Sequence, residues 1–281
     1  MFRSFVVAAL LASCSTATGW AQSAPPTSAA PAAPQVAKPA ANKPAPKASK
    51  AKSGGRAAAA ESGPCQLGVI AISGGQFGVQ KVGFMVFGNA FTAVPIESWG
   101  LDDLIVARVR AAAPGLSVRK IPYTKDDLAR ADATRSLFRT AGDSFKTFIQ
   151  SAAPAACERY VVVNRERNQF SNTNQSVEGV GIVQWGNPIK ERTFLFAMTN
   201  IRVFDGQTFE LLKHGSASTE DGLTVSRVLL LNAIRGPNRE LESAAFPAIP
   251  AEAATNPGFR EGIRGLLTES LDKTLPAMLA R

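Results

Sequence analysis

Residues 22–63 hold almost no side chain able to enter a hydrophobic core, and this stretch divides the chain before any motif is considered. It is built mainly from Ala, Pro, Lys and Ser and has no periodic apolar face. Such a segment buries too little surface to offset the entropy of ordering it, which predicts a disordered tether. Prolines between Pro25 and Pro46 favour extended polyproline II, at about 3.1 Å per residue. Folding is left to residues 64–281, enough chain for one globular domain with its own core.

The tether follows a leader. Met1-Phe2-Arg3 carries one positive charge, and Ser4–Leu11 is an apolar run far shorter than the roughly 20 residues of a membrane-spanning helix. Small residues at Gly19 and Ala21 predict a signal peptide over 1–21, cut before Gln22. The alternative is a lipoprotein signal ending before Cys14, since Leu11-Ala12-Ser13-Cys14 also fits lipidation of that cysteine. Either way the expectation is export: a periplasmic or secreted protein, or a membrane-anchored lipoprotein facing the periplasm. No later segment reaches spanning length, so no transmembrane segment is expected.

The formal charge of +9 is unevenly spread. Lys38, Lys43, Lys47, Lys50, Lys52 and Arg56 oppose only Glu61, a tether balance of +5; with Arg3 set aside, +3 remains on residues 64–281. The basicity belongs largely to a solvated spacer. Export, with no interleaving of aromatic and basic residues, argues against nucleic acid as a partner.

Within the folded part, Leu67–Ile72 and Phe77–Phe87 read as strands around a Gly-rich break, in the manner of a hairpin. Leu101–Ala113 has helical apolar spacing, acids in its first turn and Pro114-Gly115 at its end. A short strand is expected at Ser117–Ile121, and helices over Asp126–Phe138 and Asp143–Ala152. Tyr160–Val163 is continuously apolar, as in a strand buried on both faces. Strands are expected at Val177–Trp185 and Arg192–Phe204, then an Asp205-Gly206 turn into Gln207–Lys213. Gly222–Ala233 fits strand or helix, and Pro257–Leu279 reads as an amphipathic helix ended or bent at Pro276. The order predicts an α/β or α+β domain: a mixed, largely antiparallel sheet covered by helices.

Cys65 lies just before the first apolar strand and Cys157 just before Tyr160. If those strands are parallel neighbours, the thiols meet at one end of the sheet. Export then predicts a Cys65–Cys157 disulfide.

Familiar catalytic patterns are absent. His214 is the single histidine, which excludes a His-rich metal site. No Gly-x-Ser-x-Gly elbow occurs, and Ser117-Val118-Arg119-Lys120 sits on a strand, not at the helix start that a Ser-x-x-Lys nucleophile needs. The Gly-rich stretches at Ser73-Gly74-Gly75 and Gly179-Val180-Gly181 match no phosphate loop. No cofactor and no metal are expected. Asp102-Asp103 and Asp126-Asp127 read as first-turn acids that complement a helix dipole.

The segment Asn164–Gln175 is the candidate binding element. It leaves the most apolar strand and gathers Arg165, Arg167, Asn168, Gln169, Asn172, Asn174 and Gln175 around Phe170. Loops beyond strand C-termini are favoured ligand sites, and amide and guanidinium groups suit sugar hydroxyls, peptide backbones and carboxylates. Trp185 with Gly186-Asn187-Pro188 marks a second loop. Trp99 is either an exposed interface anchor or a core or capping residue. In leader, linker composition and element order, the chain resembles envelope lipoproteins that carry an α/β domain on a Pro/Ala tether, such as accessory activators of cell-wall synthases. The expected function is a non-enzymatic binding or accessory module for an envelope protein or glycan. The alternative is an envelope hydrolase in which the fold unites carboxylates such as Glu166 and Glu178.

Overall fold

The two most apolar runs of the chain, β1 (Cys65–Ile72) and β5 (Cys157–Arg165), lie side by side and parallel at the centre of one sheet. This arrangement comes from a computed structural model, which describes residues 64–73, 75–83, 88–124, 126, 141–152, 157–170, 175–187, 190–219 and 234–280. The expected leader 1–21, Cys14, the tether 22–63, the helix over 127–138 and the segment 222–233 lie outside the described residues, as do Asn172 and Asn174.

Sheet one has five strands in the order β11 (Leu211–Ser216), β10 (Thr199–Asp205), β5, β1, β4 (Val118–Lys120). The β5, β1 and β4 strands are parallel, while β10 and β11 run antiparallel as a hairpin turned at Asp205-Gly206. Leu67, Val69, Val161, Val163 and Ile201 face α1 (Leu101–Ala112) and the C-terminal half of α3 (Pro257–Leu279). Ile70, Tyr160, Val162 and Phe204 face the other way, onto Phe148 and Ile149 of α2 (Ala141–Ala152). Both faces are buried, which is why these strands read as unbroken apolar runs.

Sheet two has the order β12 (Asn238–Leu241), β9 (Lys190–Ala197), β8 (Val180–Asn187), β2 (Gln76–Val82), β3 (Ala90–Pro95). Phe77, Val79, Ile182 and Leu195 pack on Phe259, Ile263 and Leu267 from the N-terminal half of α3, so this single helix covers part of both sheets. It continues through Pro276 to Leu279, where Lys213 and Arg159 donate to its last carbonyls. The opposite face carries a small hairpin, β6 (Arg167–Gln169) with β7 (Ser176–Glu178). The fold is therefore α+β, with mixed sheets that include antiparallel strands.

Two expectations are corrected. The runs around Ser73–Gly75 do not pair as a hairpin: β1 and β2 belong to different sheets, β1 between β4 and β5, and β2 between β3 and β8. The stretch 192–204 is likewise two strands, β9 and β10, divided at Met198 between the sheets. Three such division points meet. Glu166 N–H donates to Met198 O, Met198 N–H to Gly179 O, and Gly179 N–H to Glu166 O, at 3.0, 2.7 and 3.0 Å. This closed ring satisfies the backbone groups that lose their ladder partners where the chain changes sheet.

Candidate functional site

Arg165 ends β5 at the edge where β1 and β4 also end, and two clefts meet there. The larger, about 730 Å³, is floored by Ala71, Ile72 and Ile121 and bounded by Gly100, Leu101 and Asp102 at the start of α1. The smaller, about 340 Å³, runs between the β2–β3 edge of sheet two and the β6–β7 hairpin. Arg165 and Gln76 line both. The position agrees with the preference of ligand sites for the carboxyl ends of parallel strands.

Arg165 is held by its stem and open at its head. Its Cβ, Cγ and Cδ lie over Gly179, where an added Cβ would come within 2.8 Å of Cδ. With φ +67, Gly179 also needs a backbone conformation that other residues adopt at a cost. The guanidinium makes no hydrogen bond or ion pair with any described residue.

In the larger cleft, Asp102 Oδ1 accepts from the Ser73 backbone N–H at 3.2 Å, and its Oδ2 accepts from the Tyr123 hydroxyl at 3.4 Å. Tyr123 is pushed up to about 12, first by burial and then by the charge and hydrogen bond of Asp102; the positive charge of Arg165 pulls the other way. Lys120 pairs with Asp103 at 2.6 Å on the rim. The first-turn acids of α1 therefore do more than complement a dipole. They tie the ends of β1 and β4 to the helix.

In the smaller cleft, Arg167 donates from Nε and Nη2 to Glu178 Oε2, at 3.0 and 2.8 Å, across a directly paired position of the hairpin. Gln76, Gly78 and Gln80 alternate along β2 to form the floor, with Phe91 of β3 beside them. None of these floor residues stood out in the sequence.

The remaining expected site residues divide. Phe170 is corrected to a core residue: it is fully buried, 5.7 Å from the Trp185 ring, and bridges to Ile234. The hairpin folds over sheet two and takes this aromatic inward. Asn168 donates to Arg235 O and Met198 Sδ and fixes the hairpin from below. Gln169 lies exposed on β6, and Gln175 receives the Phe170 N–H at its carbonyl. Glu166 accepts from the Ser216 hydroxyl while Glu178 holds Arg167, so the two carboxylates serve separate partners. Trp99 is a core residue, 4% exposed, and His214 is exposed on β11.

Cys65 and Cys157 form a disulfide. Among the described residues no helix is long and apolar enough to cross a membrane. No protein-family model matches the chain, and no curated protein matches it. Among solved structures, it is similar to the hypothetical protein CT253 from Chlamydia trachomatis at 10% identity, over 75% of this chain and 100% of that one. The TM-score is 0.24, too low to carry an argument.

Proposed function

We propose that this chain is an exported envelope protein whose domain is a non-enzymatic binding or accessory module, engaging a protein or glycan partner at the paired clefts. The observation that carries the reading is Arg165, whose guanidinium has no partner among the described residues at the seam of the two clefts. Its stem packs over Gly179, and its head presents a planar charged donor set to both clefts. The leader, the Ala/Pro/Lys tether and a disulfide of the kind kept in oxidising compartments support a periplasmic or secreted location. Anchoring through a lipidated Cys14 is the alternative, and mass spectrometry of the mature N-terminus distinguishes the two.

Crosslinking in intact cells tests the binding reading. The expected result is a captured species that is lost in the Arg165→Ala/Arg167→Ala double variant, with circular dichroism and the melting temperature close to those of the parent. Unchanged capture removes these clefts from the account.

A further inference from the structure

We infer that the smaller cleft binds an oligosaccharide bearing N-acetyl and carboxylate groups, a commitment that rests on the binding reading above and narrows it. Three features on one floor point to this chemistry.

The first is Phe91, which is 67% exposed although it stands in a sheet. Its ring edge rests over Gly78, where an added Cβ would lie 3.1 Å from Cε2. On β2 the neighbouring strand thus leaves space for the ring, and an apolar surface is offered to solvent inside a polar-walled cleft. A pyranose has a face of C–H groups that suits such a platform, and an aromatic ring orders at little entropic cost.

The second is Gln80, which is directly paired with Phe91 across the strands. It is 8% exposed and lines the cleft, yet its side-chain amide makes no hydrogen bond with any described residue. Its polar atoms are not buried orphans but open onto the cleft, where they are within reach of a group that enters. An acetamido group presents one N–H and one C=O, the complement of the carbonyl and NH2 of a glutamine.

The third is charge. Glu178 neutralises and orients Arg167, leaving a second carboxylate oxygen and further N–H groups for hydroxyls. Arg165 remains for a carboxylate of the ligand, which it can grip bidentately. The volume of about 340 Å³ lies within the usual range for small-molecule clefts, about 300–1,000 Å³.

Isothermal titration of the full mature chain tests the inference with three probes. One is a tetrasaccharide of alternating N-acetylglucosamine and N-acetylmuramic acid. Another is chitotetraose, which keeps the acetamido groups and lacks the carboxylates. The last is 3′-sialyllactose, which supplies both groups from a different sugar. One of the two acidic probes is expected to bind more tightly than chitotetraose, and which one does identifies the source of the ligand. Phe91→Ala, at an exposed position, and Gln80→Met, nearly isosteric, should each weaken that probe by at least about tenfold. Arg165→Met should erase the preference for the acidic probe over chitotetraose. Silence of all three probes at about 1 mM, or parental affinity in Phe91→Ala, overturns the inference. If the probes are silent while cell crosslinking still captures a protein that depends on Arg165 and Arg167, the glycan assignment falls and the broader binding reading stands.

Discussion

Cys65 and Cys157 are directly paired across β1 and β5, with Cα atoms 4.4 Å apart and a separation of 92 positions in sequence. Their bond joins the two central strands at the end opposite Arg165. Closing so long a loop restricts the unfolded chain, worth about 4–5 kcal/mol in the chain-entropy model. The Cys65→Ala/Cys157→Ala double variant should therefore melt well below the parent. Added reductant should lower the melting temperature of the parent and leave the variant unmoved. An equal response of both proteins to reductant would mean that the bridge does not set stability.

Trp99 gives a second test, in the other core. It is 4% exposed, its ring lies 5.3 Å from that of Phe77, and its Nε1 donates to Ala254 O at 2.9 Å. Trp99→Ala removes the packing and the donor together and should cost about 3–5 kcal/mol. Trp99→Phe keeps most of the packing and orphans one carbonyl, a loss of about 1–3 kcal/mol. Urea unfolding that returns the two variants at equal midpoints would place Trp99 outside the core.

Much of the fold was legible where a local pattern also determines the long-range outcome. Tyr160–Val163 is apolar on both faces because β5 is covered on both faces, and that requirement alone marks it as a central strand. Position relative to such strands also made the disulfide legible. What stayed hidden depends on partners far away in sequence. The sheet changes at Glu166, Gly179 and Met198 are set by backbone hydrogen bonds among those three residues, and neither Glu166 nor Met198 carries a local sign of them. The candidate site shows the same limit. Arg165 could be found from its place after a buried strand. Phe91 could not, because an exposed phenylalanine on an edge strand has the same local pattern as a buried one. Phe170 misled for the converse reason: its polar neighbours suggested exposure, but the hairpin lies over sheet two.

Tyr123 reports on the larger cleft through its proton. Raised from 10.0 to about 12, the hydroxyl stays neutral in the fold after it would ionise in the unfolded chain. Its stabilising contribution is present in full below pH 10 and is lost as pH rises through about 12. With Tyr160→Phe as background, Tyr123 is the sole tyrosine, and ultraviolet titration follows it directly. Asp102→Asn should lower its midpoint by removing a negative neighbour, and Arg165→Met should raise it by removing a positive one. Movement in the same direction would contradict the geometry in which the two charges face one ring.

Two glycines paired across β2 and β8 should respond unequally to the same substitution. Gly78 and Gly181 are partners in register at the floor of sheet two. A Cβ on Gly181 would meet the backbone oxygen of Gly78 at 2.4 Å and the Phe196 ring at 2.6 Å, and neither has room to move. Gly181→Ala should cost about 1–3 kcal/mol through forced displacement of the strands. On Gly78 the near contact is the Phe91 ring at 3.1 Å, with other atoms at 3.8 Å or beyond, and that ring is free to swing toward solvent. Gly78→Ala should fold with a midpoint within about 0.5 kcal/mol of the parent, because the only close neighbour is a ring that can yield to solvent. It should nonetheless shift the ring off its seat and weaken any ligand that stacks there. Denaturant midpoints for both variants, read beside the affinity of Gly78→Ala for the acidic tetrasaccharide, separate the structural role of one glycine from the seating role of the other. Equal destabilisation by the two alanines would show that Phe91 is clamped in place and not poised at the surface of the cleft.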